Sequence, residues 1–272
     1  MDKALLVVSF GTSYPETRER TIGAIEQKLA ERFPDRVVRR AWTSNFIIKK
    51  VAKTEGLVVD TPEEALGKLA AEGIKDVIVQ PTHLSDGYEN QRLMEIVRGY
   101  AGQFERVAVG RPLLFTDEDR EKVARLMPQL CRGDADSKAL LLMGHGSDKH
   151  PVPVYEQLQD AFAKAASNVF VGTVEGTPTF EEAKALLDAS GYKEVVLAPL
   201  MIVAGDHAVN DLAGEEDSWK SRLEAKGYQT EVSLKGLGEY EEIQNLFAAH
   251  AAQAEAIYRE NKWQNAEGTS QS

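Results

Sequence analysis

Ala139-Leu-Leu-Leu-Met-Gly-His-Gly-Ser147 is an apolar run that breaks into a histidine with glycine on either side. A run without polar alternation is hydrophobic on both faces, which predicts a buried parallel strand rather than the half-wetted strand of an antiparallel sheet. Open α/β sheets bind their ligands where such strands run out into loops, at the carboxyl edge. His145 therefore belongs at a mouth. The flanking glycines lack β-carbons and are expected to leave its imidazole uncrowded.

The stretch has a twin. Ala4-Leu-Leu-Val-Val-Ser-Phe-Gly-Thr-Ser13 aligns with it residue for residue, setting Phe10 opposite His145 and Gly11 opposite Gly146. A second pair is Pro62-Glu-Glu-Ala-Leu-Gly-Lys-Leu-Ala-Ala-Glu-Gly-Ile-Lys-Asp-Val-Ile-Val-Gln-Pro81 and Phe180-Glu-Glu-Ala-Lys-Ala-Leu-Leu-Asp-Ala-Ser-Gly-Tyr-Lys-Glu-Val-Val-Leu-Ala-Pro199. Continuing that register sets Gly87 against Gly205 and Glu89 against His207. Two halves built on one plan predict an internal duplication. The two pairs have different offsets, so Ser44 to Asp60 is an insertion in the first half, and insertions of this kind decorate ligand-facing loops.

Strand and helix signals alternate through both halves. Ile22, Ile25, Leu29 and Phe33 recur at helical spacing before Pro34, and Thr116-Asp-Glu-Asp opens a capped helix. The expected fold is α/β with two similar lobes, each a four-stranded parallel sheet flanked by helices. The lobes are expected at 1–131 and 138–262, joined by a polar linker at 132–137, with a long last helix from Gly238 to about Asn261 and a disordered tail at 263–272.

Composition narrows the function classes. A net charge of −11 and scattered Lys and Arg exclude nucleic acid as a general partner. No apolar run approaches the roughly 20 residues of a membrane helix, so no membrane is expected as a partner. The start, Met1-Asp-Lys, lacks a signal peptide's basic region, and a single cysteine, Cys131, cannot form an intramolecular disulfide. A cytoplasmic protein is expected.

In the second half, three strand ends carry side chains able to bind metal: His145, Glu175 and His207. The ends of neighbouring parallel strands converge on one crevice. Two imidazoles and a carboxylate suit divalent Co, Fe, Ni or Zn and are too rich in nitrogen for Mg or Ca. Among the remaining histidines, His250 falls seven residues after Ile243 and reads as packing or solvent-facing, and His150 before Pro151 reads as a loop residue. His83 lies beside the first-half mouth with no role assigned. A histidine-phosphatase signature is excluded, because Gly144 stands where that chemistry requires arginine.

Ser-Phe-Gly-Thr-Ser at Ser9 to Ser13, Met-Gly-His-Gly-Ser at Met143 to Ser147, Val174-Glu-Gly-Thr-Pro178, and Pro-Leu-Met-Ile-Val-Ala-Gly-Asp-His at Pro199 to His207 together carry a resemblance. Over residues 2 to 262 the chain resembles the class II tetrapyrrole chelatases, and among them the anaerobic cobaltochelatases of cobalamin biosynthesis. The resemblance implies two lobes facing each other over a cleft, with His145, Glu175 and His207 binding the incoming Co²⁺. It implies insertion of that ion into sirohydrochlorin (or precorrin-2) with no other cofactor, and it is compatible with a homo-oligomer. Insertion replaces two pyrrole N–H protons by one cation, so proton acceptors are required. His145 and Glu89 are expected to serve as these catalytic groups, while Phe10 offers a ring to stack on the macrocycle and Ser13 lies in the same loop. Two other readings are an Fe²⁺ or Ni²⁺ chelatase on a related tetrapyrrole and a metal-delivery protein without catalysis. A third is a two-lobed binding protein for small polar ligands, which predicts no dependence on metal.

Overall fold

The structure is a computed structural model that describes residues 2–133, 136–147 and 153–257. The first half contributes β1 (Lys3–Ser9), α1 (Pro15–Arg18), α2 (Ala24–Arg32), β2 (Val37–Trp42), α3 (Asn45–Glu55), α4 (Pro62–Ala71), β3 (Asp76–Pro81), α5 (Tyr88–Tyr100), β4 (Arg106–Val109) and α6 (Asp117–Arg132). The second contributes β5 (Ala139–Gly146), α7 (Val154–Ala165), β6 (Val169–Glu175), α8 (Phe180–Ser190), β7 (Glu194–Pro199), α9 (Trp219–Glu224), β8 (Gln229–Val232), α10 (Glu241–Ala252) and β9 (Glu255–Ala256).

The strand orders β2-β1-β3-β4 and β6-β5-β7-β8 are the same, and every pairing within them is parallel. Register agrees down to the residue. Ala4 pairs with Val77 in the first sheet, and their aligned twins Ala139 and Val195 pair in the second. Even the local signals repeat: Thr61 with Glu64 and Thr179 with Glu182 form capping boxes at equivalent helix starts.

Three details differ from the sequence expectation. The first sheet gains a fifth strand, because β9 pairs antiparallel with β4 and covers its open edge. The last helix accordingly stops at Ala252, well short of Asn261, since the chain must extend for Glu255 and Ala256 to meet Val109 and Ala108. The Ser44 to Asp60 insertion is largely helical, α3 packing Val51 against Trp42 with Ser44 as N-cap. The expected tail and His150 fall outside the described residues.

β1 and β5 are apolar throughout because each faces two cores. Ala4, Leu6 and Val8 belong to an outer cluster with Leu66, Leu69, Leu93 and Val97, and Ala139, Leu141 and Met143 belong to a second with Phe180, Leu187 and Trp219. The alternate residues Leu5, Val7, Leu140 and Leu142 all join one central cluster. Its helices cross over. α6 follows β4 of the first half but packs on α7, β5 and β7, and α10 follows β8 but packs on α2 and β3.

Where these helices meet, charge is buried. Arg111, just past β4, donates twice to Asp119 in the first turn of α6, at 2.8 and 3.1 Å. His250 of α10 faces Asp119 Oδ1 through Nε2 and the Arg111 carbonyl oxygen through Nδ1, each at 3.1 Å. Asp119 and His250 are 1% and 2% exposed. Burial alone would raise the Asp119 carboxyl, but hydrogen bonds from Arg111 and Thr116 outweigh it and hold the pKa at about 2 against an ordinary 3.8. A depressed folded-state pKa contributes stability that is complete above 3.8 and lost as pH falls toward about 2. Asp119→Ala leaves Arg111 facing an empty partner and is expected to cost about 3–5 kcal/mol in urea unfolding at pH 7. The gap between wild type and variant should narrow as the measurement moves from pH 4 toward about pH 2.

Candidate metal centre

The Gly144-His145-Gly146 end of β5 is shaped by its neighbours. The ring of Tyr155 lies against Gly144, where a Cβ would come within 2.2 Å of the tyrosine Cε1. Gly146 has φ +73°, and a Cβ there would lie 1.7 Å from the Glu175 carbonyl oxygen. The Gly146 amide also donates to the Tyr155 hydroxyl at 3.3 Å. The glycines thus admit Tyr155 and the β6 backbone, not the imidazole as the sequence suggested. With both neighbours pinned, the His145 side chain is turned out into solvent.

His207 arrives from the other side of the mouth, on the loop after β7. Its ring and that of His145 meet edge to face, centroids 4.7 Å apart and planes at 88°. Both rings are oriented through Nδ1: His145 donates to the Gly146 carbonyl oxygen at 2.9 Å, and His207 to Asp211 Oδ2 at 2.7 Å. A carbonyl and a carboxylate only accept, so each Nδ1 carries a proton, and in the neutral ring the lone pair then lies on Nε2. That is the form in which imidazole binds a metal. The Asp211 contact is the carboxylate–histidine pairing that fixes the orientation of metal-binding imidazoles.

Glu175 ends β6, exposed, with its backbone in register with Gly146. Among the described residues no three His, Cys, Asp or Glu side chains close into a metal-holding group. The two imidazoles are therefore brought together, and the glutamate stands one strand over.

The first half faces this centre with different chemistry. Phe10 is 51% exposed and is anchored through its carbonyl oxygen, which accepts from the Ser44 amide at 3.2 Å. Ser13 is half-buried in the same loop. Its neighbour Tyr14 donates its hydroxyl to Asp206, joining the first-half mouth to the residue before His207. The hydrogen bond to that carboxylate pushes the tyrosine pKa up. Glu89 lies in the first turn of α5, half-buried, with Oε2 enclosed and without a hydrogen-bond partner among the described residues. Sequence reading missed Tyr14, Asp206, Asp211 and Tyr155. A His-x-x-x-Asp spacing on a helical turn was the available signal for Asp211, while the others depend on contacts between distant segments.

Comparison with known proteins agrees with this architecture. The family described as Cobalt chelatase (CbiK) matches residues 3–256. The chain is 40% identical over 255 residues to a protein of Salmonella typhimurium named sirohydrochlorin cobaltochelatase, covering 93% of this chain and 97% of that one. It is 34% identical over 258 residues to sirohydrochlorin cobaltochelatase CbiKC of Nitratidesulfovibrio vulgaris, covering 93% and 90%. Among solved structures, SirB from Bacillus subtilis with Fe³⁺ superposes with a TM-score of 0.64 at 15% identity, covering 93% of this chain and 95% of that one, a likeness of fold. With a matching family over nearly its whole length and two such relatives, the chain belongs to the cobalt chelatase family.

Proposed function

We infer that this protein inserts Co²⁺ into sirohydrochlorin with release of two protons, a step of anaerobic cobalamin biosynthesis. The observation that carries the reading is the His145–His207 pair, two contacting imidazoles each held through Nδ1 by an acceptor, in a member of the cobalt chelatase family. Hydrated Co²⁺ exchanges water for the two Nε2 atoms, and the Glu175 carboxylate beside them offsets the cation's charge. A nitrogen-rich site with few protein ligands leaves positions open for the pyrrole nitrogens. Phe10, exposed on the facing lobe with Ser13 in the same loop, supports the flat face of the macrocycle.

Each new Co–N bond at a pyrrole releases a proton, and the electron pair stays on nitrogen. Glu89 in the first lobe is one acceptor. His145 serves as another once the ion has moved into the ring and its Nε2 is again bare. A cytoplasmic setting belongs to the same reading, in keeping with a single cysteine, Cys131, that has no partner for an intramolecular disulfide. An insertion assay following the visible spectrum of sirohydrochlorin separates this reading from metal delivery, since a carrier would not accelerate the spectral change. Running it with Co²⁺, Fe²⁺ and Ni²⁺ ranks the metals.

His207→Ala should weaken Co²⁺ binding on the order of 10-fold or more by calorimetry, and excess Co²⁺ should restore part of its insertion rate. His145→Ala should stay inactive at saturating Co²⁺, because it loses a proton acceptor together with a ligand. Recovery of that variant to near wild-type rates would reduce His145 to a ligand alone. Asp211→Asn keeps a side chain of the same shape but removes the charge that orients His207. Its Co²⁺ affinity should fall by roughly 10- to 100-fold with little change in thermal stability.

A further inference from the structure

Between β3 and α5 the first lobe buries an imidazole with nothing to bond to. His83 is 8% exposed, and neither Nδ1 nor Nε2 has a hydrogen-bond partner among the described residues. Two oxygens nearby in the chain share that condition, Glu89 Oε2 and Asn90 Oδ1. The Asn90 amide is not free to turn, because its Nδ2 donates to Asp86 Oδ1 at 2.7 Å and so leaves the oxygen to face elsewhere. The Glu89 charge and a weak hydrogen-bonding contact with Asn90 act to raise the pKa of the ring, but burial, the dominant influence, pushes it down and keeps the ring neutral.

Counting donors and acceptors explains the arrangement. A neutral imidazole offers one N–H and one lone pair, whereas an ionised carboxylate and an amide oxygen only accept. The cluster thus has one donor for three acceptors, and buried acceptors left unpaired are costly. One added proton balances it: Glu89 as a carboxylic acid donates to the bare imidazole nitrogen, and the imidazole N–H donates to Asn90 Oδ1. The group is one proton short of satisfaction.

We propose that His83, Glu89 and Asn90 form the receiving site for one of the two protons that Co²⁺ displaces from the macrocycle, with His83 as the positioning residue. The inference rests on the reading of Glu89 as a proton acceptor. In the step, a pyrrole N–H bond breaks, its electron pair forms the bond to Co²⁺, and the proton passes to the Glu89 carboxylate, which becomes neutral and carries the proton on Oε2. His83 accepts a hydrogen bond from the new O–H and donates one from its own N–H to Asn90 Oδ1, so the carboxylate charge disappears where water is scarce. In the second lobe, the aligned positions of His83 and Asn90 are Met201 and Ala208, so this device exists in one half only.

The test uses the full chain with sirohydrochlorin and Co²⁺. H83M installs the residue that the second lobe carries at this position. It should lower kcat about 10-fold or more with the KM for Co²⁺ within about 2-fold of wild type. H83Q retains one donor and one acceptor and should stay within about 3-fold of wild type. E89Q should lose about 100-fold in kcat, and H83M/E89Q should be no slower than E89Q alone. An infrared carboxylic-acid band identified by its loss in E89Q should move in H83M, a signature that a packing role would not produce. Asn90→Leu should repeat the kcat-only loss and keeps the test decisive if H83M does not fold. A slow E89Q with H83M at the wild-type rate, additive losses, or H83Q as slow as H83M would each overturn the proposal and leave Glu89's role standing. A wild-type rate in E89Q would remove that role and the proposal with it.

Discussion

Parallel strands that are apolar on both faces must be covered twice, and this requirement organises the whole chain. Each lobe covers the outer face of its own sheet with helices from its own half, such as α4 and α5 in the first and α8 in the second. The inner faces turn toward one shared core, and α6 and α10 reach it by crossing from one half to the other. Because the cover of each sheet is borrowed, the two mouths are held in a set relation. The buried Arg111–Asp119–His250 contacts tie the crossing helices where they meet. That relation brings the first-half mouth, through Tyr14, against Asp206 beside His207.

The duplication was legible because its signal is hydrophobic and local. Ala4 to Val8 and Ala139 to Met143 announce themselves as doubly buried strands, and the aligned pairs Ala4–Val77 and Ala139–Val195 turn out to share a register. The positions of His145 and His207 followed from their being at strand ends. Which groups orient their rings did not, because a backbone carbonyl leaves no mark in a sequence and Asp211 is one acidic residue among many. The glycines about His145 were read as room for its imidazole, but the groups they admit, Tyr155 and the Glu175 carbonyl, come from α7 and β6. The end of the last helix was misjudged for a related reason. Helical periodicity cannot register that the edge of β4, far away in sequence, recruits Glu255 and Ala256 into a sheet.

A repeated scaffold with unlike mouths separates two demands that conflict in one site. Holding a cation calls for bare nitrogen lone pairs and nearby negative charge. Shedding protons calls for groups that become neutral on receiving them. In the second lobe, imidazoles are fixed by acceptors at Nδ1 and left open at Nε2. In the first, the buried ring of His83 and the enclosed Glu89 Oε2 both lack a hydrogen-bond partner among the described residues. The hydroxyl of Tyr14 joins the two sides at Asp206, next to His207.

The exchange of α6 and α10 also bears on how such a chain could come to exist. A half-length ancestor folding by itself would leave one sheet face bare and carry one terminal helix with nothing beneath it. Two copies trading those helices would cover both faces at once, giving a symmetrical pair with identical mouths opposed across a cleft. Joining the copies into one polypeptide keeps every contact of that pair while freeing each mouth to change on its own. Phe10 opposite His145, and Glu89 opposite His207, are the kind of divergence that only the fused form permits.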